Sequence, residues 1–169
     1  MRRTSFKHMD CPIARSLERV GEWWSILILR DAFAGMTRFD QFSESLGIAP
    51  NMLTRRLQAL VKSGLLTRRR YSARPARYEY VLTERGRDFR PVLLAMLAFG
   101  NRHFAPEGAS VTIVEAATGA PAEPALVDLR TGRLLVEPDF AVVAGPAANK
   151  ATRERFAARA ARLAVRTVQ

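Results

Sequence analysis

"GLLTRRRYSARPARYEYVLT", residues 64–83, is the stretch whose reading decides the fold. Two short runs, 65–71 and 77–82, flank an Ala73-Arg74-Pro75-Ala76 loop. In the second run Tyr78, Tyr80 and Leu82 alternate onto one face, the pattern of a β-hairpin strand. Five arginines, Arg68, Arg69, Arg70, Arg74 and Arg77, crowd the hairpin. A solvated hairpin gains nothing from so many like charges, whereas phosphates would neutralise them and release counterions. Alternation sets Arg68 and Arg70 on one face and Arg69 on the other, so two or three of the five are expected to meet a polyanion together. Arg74, beside Pro75 at the tip, is positioned for a minor groove. The tyrosines are expected to pack the hairpin against neighbouring helices.

Working back from the hairpin, Leu53, Leu57, Leu60 and Val61 form one apolar stripe at helical spacing. Pro50 opens this helix and Ser63-Gly64 closes it, with Gly64 as a left-handed stop. Setting Leu53 at zero and stepping 100° per residue puts Asn51, Met52, Arg55, Ala59 and Lys62 opposite the stripe. Thr54 and Arg56 flank that face. It is donor-rich: arginine can donate twice to a guanine edge and asparagine can pair with adenine. Residues near the start of such a helix reach bases and more distal cations meet phosphates. Asn51, Met52 and Arg55 are therefore the candidate readers, and Lys62 a phosphate contact. Any amphipathic helix has a polar face, so it is the adjoining hairpin that turns this one into a candidate interface.

Further upstream, Thr37-Arg38-Phe39-Asp40 resembles a capping box with Asp40 at its third position. Phe39, Phe42 and Leu46 follow at helical spacing. "WWSILILRDAF", 23–33, is apolar nearly all round and belongs at the centre of a fold. Asp10-Cys11-Pro12 starts a first helix running to about Val20, with Ile13, Leu17 and Val20 on one side. Downstream, Thr83 caps a long helix from Glu84 to about Phe104, lined by Phe89, Val92, Leu93, Met96, Leu97 and Gly100, and interrupted or merely opened by Pro91. Four helices, a hairpin and a helix make a winged helix-turn-helix.

The 169 residues carry a net charge of +11, unevenly spread. Residues 1–104 hold 19 Lys/Arg against 9 Asp/Glu, residues 105–148 hold 2 against 6, and residues 149–169 hold 6 against 1. A clustered basic excess implies an anionic partner. No apolar run of membrane-spanning length occurs, so no membrane association is expected. The basic opening "MRRTSFKHMDCPIARS" is followed by no apolar segment and does not read as a secretory signal. A single cysteine excludes an intrachain disulfide. A cytoplasmic protein is expected.

From Pro106 the chain turns acidic and richer in Gly and Pro. Ala117-Thr118-Gly119-Ala120 and Arg130-Thr131-Gly132-Arg133 are similar turns, and strands are expected at 111–116, 125–128 and 134–136. A basic, Ala-rich helix is expected over 151–165, with Phe156, Ala160 and Leu163 docked. The organisation predicted is α+β: a winged helix-turn-helix domain over 1–104, and a small C-terminal β-ribbon appendage with a terminal helix over 105–169.

Across residues 8–104 an ordered set of motifs resembles the HxlR-type winged-helix transcriptional regulators. It comprises Cys11-Pro12, Gly21-x-Trp23-Trp24, Arg38-Phe39-x-x-Phe42, Leu53-Thr54-x-Arg56-Leu57-x-x-Leu60 running into Gly64-Leu65-Leu66, the arginine-rich hairpin with Pro75-x-x-Tyr78-x-Tyr80, and Leu82-Thr83-x-x-Gly86. The resemblance implies a homodimer that binds double-stranded DNA at a palindromic or repeated operator, dimerising through helices at about 11–20 and 85–104. The DNA-binding set expected is then Arg38, Asn51, Met52, Thr54, Arg55, Arg56, Lys62, Arg68, Arg70, Arg74 and Arg77. Ala49 stands where the family commonly has a capping serine, at a cost of about 1 kcal/mol.

Cys11 lies in the first turn of a helix, where the dipole favours a thiolate, and Arg15 follows four residues on. Some members of the family sense oxidants through a cysteine at the matching position, which makes Cys11 a redox-sensing candidate. A free cysteine serving as a small buried hydrophobe is the alternative. Longer members often place Cys or His in appendage turns like the two here. These turns hold neither, so no metal is expected. No cofactor motif occurs either, and neither a phosphate loop nor a nucleophile elbow points to an enzyme. A winged-helix module for RNA or protein, without operator specificity, remains the competing reading.

Overall fold

The computed structural model describes residues 5, 6 and 8–166, with side chains to 162. The chain forms α1 (Pro12–Val20), α2 (Trp23–Phe33), α3 (Phe39–Leu46), α4 (Pro50–Lys62), β1 (Leu66–Ser72), β2 (Arg77–Leu82), α5 (Glu84–Arg87), α6 (Arg90–Phe104) and α7 (Lys150–Arg166). Its contacts divide it into two units, Ser16–Ala125 and Met1–Arg15 with Leu126–Gln169.

Within the first of these, α2 is the hub, touching α3, α4, β2 and α6. The expected all-round apolar helix does fill the centre: Ile28 and Leu29 are wholly buried with Phe42, Leu53, Leu57 and Leu60. Trp23 is the exception, 73% exposed, while Trp24 packs on the core. Asp31 is 3% exposed and bonded on both oxygens. Oδ1 accepts from Arg30 at 2.8 Å and Oδ2 from the Ser45 hydroxyl at 2.8 Å, which joins α2 to α3.

The turn between α3 and α4 uses Gly47 at φ +58°, left-handed as a helix stop requires. The cap of α3 differs from expectation. Asp40 plays no part in it; the Gln41 side-chain oxygen accepts from the backbone N–H groups of Thr37 and Arg38 at 3.0 and 2.9 Å. An arginine side chain has no acceptor to return the bond, so this is half of a capping box. Ala49 precedes α4 with no side-chain cap.

The strands pair antiparallel, Leu66 with Leu82, Arg68 with Tyr80 and Arg70 with Tyr78, with a bulge between Arg70 and Ser72. The hairpin gains a third, minimal strand from the loop before α3. Tyr80 N–H donates to Thr37 C=O at 2.7 Å, and Arg38 bridges Glu79. This bond anchors the base of the hairpin to the helix-turn-helix.

The single helix expected over 84–104 is two. It breaks at Asp88–Phe89, and Pro91 takes one of the first positions of α6, where a missing N–H costs nothing. The break lets α5 form a knot. The Thr83 hydroxyl donates to Gly64 C=O at 2.6 Å and accepts from Gly86 N–H at 3.0 Å, and Thr83 N–H donates to Leu65 C=O at 3.1 Å. The knot fastens the hairpin's end to the exit of α4. It also explains why the Leu-Thr-x-x-Gly motif needs its glycine: a Cβ at Gly86 would lie 2.1 Å from Leu65 O.

The strands expected beyond Pro106 shrink to single bridges, Val114 with Pro121 and Val127 with Leu134. The two similar turns are real. Gly119 and Gly132 both have positive φ, and Glu115 and Asp128 each accept from the threonine hydroxyl three residues on. In the second unit, Asn149 caps α7 by accepting from Thr152 N–H at 2.9 Å, and Asp10 accepts from Asn149 N–H at 2.9 Å. Of the α7 residues expected to dock, Phe156 is half-buried and Ala160 exposed, while Leu163 lies outside the described side chains.

Candidate nucleic-acid interface

The polar face of α4 is built as its periodicity requires. Leu53, Leu57 and Leu60 are sunk in the core, which forces Asn51, Thr54, Arg55 and Lys62 outward, and all four are exposed. Thr54 returns its hydroxyl proton to Pro50 C=O at 2.8 Å, leaving its oxygen free to accept. Met52 is half-buried against the core, and its sulfur accepts from Arg55 Nη2 at 3.0 Å. The contact steadies Arg55 while leaving most of its donor fork free.

Arg56 departs from the expected set. Its guanidinium sits 3.6 Å from Glu22, its side chain is 19% exposed, and its Nε is buried without a partner. It ties the start of α2 to α4, so the geometry gives it a structural role. A long side chain at a flanking angle can turn to either side, and here Glu22 draws it inward.

The arginines of the hairpin are held in different ways. Arg69 pairs with Glu79 at 2.8 Å on the strand face opposite Arg68, which neutralises it. Arg68 lies over the Tyr78 ring at 3.5 Å, and Arg38 over Tyr71 at 5.0 Å. Such contacts orient a guanidinium without cancelling its charge. Arg70 bends back to accept the tip's carbonyl groups as partners, donating to Ser72 O at 3.0 Å and Ala73 O at 2.5 Å. The side chains of Arg74 and Arg77 are exposed and make no hydrogen bond or ion pair among the described residues. The repulsion within the run is thereby divided among one carboxylate, one ring and two carbonyls, with two cations left over.

The tyrosines were expected to pack inward, and only Tyr80 does so. Tyr71 and Tyr78 are exposed and serve as platforms for arginine. The hairpin outruns the core beyond Tyr80, so residues nearer the tip have no helix to rest on.

Cys11 is half-buried, immediately before α1. Arg15 does not turn to it: its side chain meets Met9 C=O at 3.1 Å and Asp10 at 3.7 Å. Among the described residues no group of three His, Cys, Asp or Glu could hold a metal, and no helix is long and apolar enough to cross a membrane.

Comparison with known proteins fits this geometry. Residues 19–108 match the family model of the HxlR-like helix-turn-helix. A helix-turn-helix-type transcriptional regulator of Mycobacterium tuberculosis is 38% identical over 135 residues, 79% of this chain and 85% of that protein. A candidate transcription factor from Pseudomonas aeruginosa of solved structure is 59% identical, covering 86% of this chain and 99% of that one at a TM-score of 0.63. The crystal structure of another candidate transcription factor, PA1607, is 39% identical, covering 84% and 100% at a TM-score of 0.75. The helix-turn-helix, the anchored arginine hairpin and these relatives together place the chain in the HxlR family of winged helix-turn-helix, DNA-binding transcriptional regulators.

Proposed function

We propose that this regulator binds its operator as a cytoplasmic homodimer, with α4 in the major groove and the β1–β2 hairpin as a wing along the backbone and minor groove. The observation that carries the reading is the pairing of an exposed polar face on α4, Asn51, Thr54 and Arg55, with Arg74 and Arg77 on the adjoining wing, whose side chains have no partner among the described residues. Met52 supports Arg55 rather than reading bases alone. Arg38, Lys62 and Arg68 supply phosphate contacts, with Arg70 shaping the tip. Arg56, paired with Glu22, is assigned to the joint between α2 and α4 rather than to the interface.

Dimerisation is supported by exposed apolar side chains on α1 and on α6. Ile13 and Leu17 of α1 and Val92, Met96 and Phe99 of α6 are all exposed. A symmetric pair of recognition helices reads half-sites about one helical turn apart, about 34–36 Å. Membership in a family of transcription regulators supports a non-enzymatic role.

The test begins with genomic fragments selected by the purified protein. Asn51→Ala and Arg55→Ala should each lose roughly 1–3 kcal/mol of discrimination between operator and random DNA. Arg74→Ala with Arg77→Ala should weaken both and flatten the salt dependence, by roughly 0.9 in log–log slope per phosphate lost. Discrimination retained in the α4 variants would show that α4 is not the reader, and a wild type that does not discriminate at all would favour a module without operator specificity.

A further inference from the structure

Outside the winged-helix unit, the strongest concentration of charge is α7. Residues 149–169 carry 6 Lys/Arg against a single Glu154. Arg155, Arg159 and Arg162 are spaced i, i+4, i+7, so all three fall on one stripe of the helix. Each is exposed. Arg155 lies over the Phe156 ring at 5.5 Å, Arg159 is 3.7 Å from the largely exposed Glu137, and Arg162 has no partner among the described residues. Like charges at these spacings destabilise an isolated helix. Packing offers little in return: between Lys150 and Arg162 only Thr152 and Phe156 are even half-buried. The alanines of α7 favour the helix, and Glu137, Glu154 and Asp10 offset only part of its charge, so the stripe stays cationic.

We propose that the Arg155–Arg159–Arg162 stripe of α7 is a second DNA-backbone contact, clasping phosphates of the duplex that flanks the operator. This rests on the reading of α4 and the wing as the operator-binding elements. Three observations select duplex DNA. The stripe is all arginine, whose planar fork grips phosphate in pairs of hydrogen bonds where lysine offers a point charge. A membrane-surface helix would bury Trp, Phe or Leu beside its cations. Here the sequence of α7 offers only Phe156, Leu163 and Val165 in seventeen residues, and Phe156 is already half covered. Finally, the winged-helix unit delivers α7 to DNA at high effective concentration, so even weak phosphate contacts are populated. From Arg155 to Arg162 the helix advances about 10 Å, about three base-pair steps of 3.4 Å.

The experiment uses the full chain and two duplexes recovered by genomic selection: one limited to the core footprint, and one extended by its native flanks. Wild type should bind the longer duplex more tightly and protect its flanks. The variant Arg155→Gln/Arg159→Gln/Arg162→Gln should bind both alike, protect only the core and lose roughly 0.9 in log–log salt slope for each contact removed. Its far-UV circular dichroism should match wild type, since no buried contact is touched. Unchanged length preference and slope in that variant would overturn the proposal, as would sedimentation with phosphatidylserine vesicles that depends on the three arginines while DNA binding does not. If the wing variant Arg74→Ala/Arg77→Ala loses slope and the α7 variant does not, the α7 proposal falls alone. If neither does, the wing reading falls as well.

Discussion

Substituting Gly86 by alanine tests whether the Thr83 knot holds the wing to the recognition helix. The new methyl would stand 2.1 Å from Leu65 O and 3.1 Å from Leu82 Cδ2, so the backbone must move by more than 1 Å to restore ordinary contact at 3.4 Å. Three things are then lost in part. The Gly86 N–H to Thr83 cap is worth about 1 kcal/mol. The Thr83 N–H to Leu65 O bond is worth about 0.5–1.5 kcal/mol. Forced repacking around Leu65 and Leu66, both in the core, costs about 1–3 kcal/mol. Alanine's better helix propensity returns at most about 1 kcal/mol. The net expectation is a loss of about 2–4 kcal/mol, or a fall in Tm of roughly 10–20 °C for a domain of this size. Urea unfolding followed by circular dichroism measures it. A loss below about 0.5 kcal/mol would refute the reasoning, since a clash with backbone cannot be relieved by a rotamer. A second arm isolates the mechanism. Thr83→Val removes the hydroxyl and keeps the shape, and the double variant should lose less than the sum of the two, because both act on one knot. Strict additivity would mean that Gly86 acts through packing alone.

Two further outcomes are expected. Asp31→Ala should cost about 2–3 kcal/mol in urea unfolding, the worth of two charge-assisted bonds. It should stay below the penalty of a stranded buried charge, because Arg30 is 53% exposed and can turn to water; a neutral result would show that the α2–α3 joint does not depend on it. Diamide should link two copies through Cys11, seen as a dimer on a non-reducing gel and absent in Cys11→Ser, with operator affinity altered in the wild type only; an unchanged affinity after complete linkage would remove the sensing role.

How far the sequence could be read depended on whether a residue's fate was set by its own element or by a neighbour. The helices up to α4 and strand β2 follow from periodicity and stop signals, because the burial of Leu53, Leu57 and Leu60 leaves α4 one orientation. Side chains long enough to choose escaped that logic. Arg56 sits at a flanking angle that allows either side, and only Glu22, 34 residues earlier, decides it. Arg69 and Arg70 look alike in sequence, yet Glu79 across the strand captures one and the tip carbonyls capture the other. The box at Thr37 to Asp40 is one residue out of register: the N-cap is Arg38, so the third helical position is Gln41, whose side-chain oxygen accepts from two N–H groups.

The same distinction explains the appendage. Its turns were legible because Asp128 and Thr131 bond to each other locally. Its strands were not, because a strand needs a partner with a buried face, and Leu126, Leu129, Leu134 and Val142 are all exposed in the single chain. The exposed apolar residues of α1 and α6 are of the same kind: nothing within the single chain buries them fully. The signals that sequence carries best are therefore those a segment satisfies by itself. The wing marks the limit of that rule. Its arginines are conspicuous in the sequence because their charge exceeds what the chain neutralises: Glu79 cancels only Arg69, a ring and two carbonyls merely hold Arg68 and Arg70, and Arg74 and Arg77 are held by none of these.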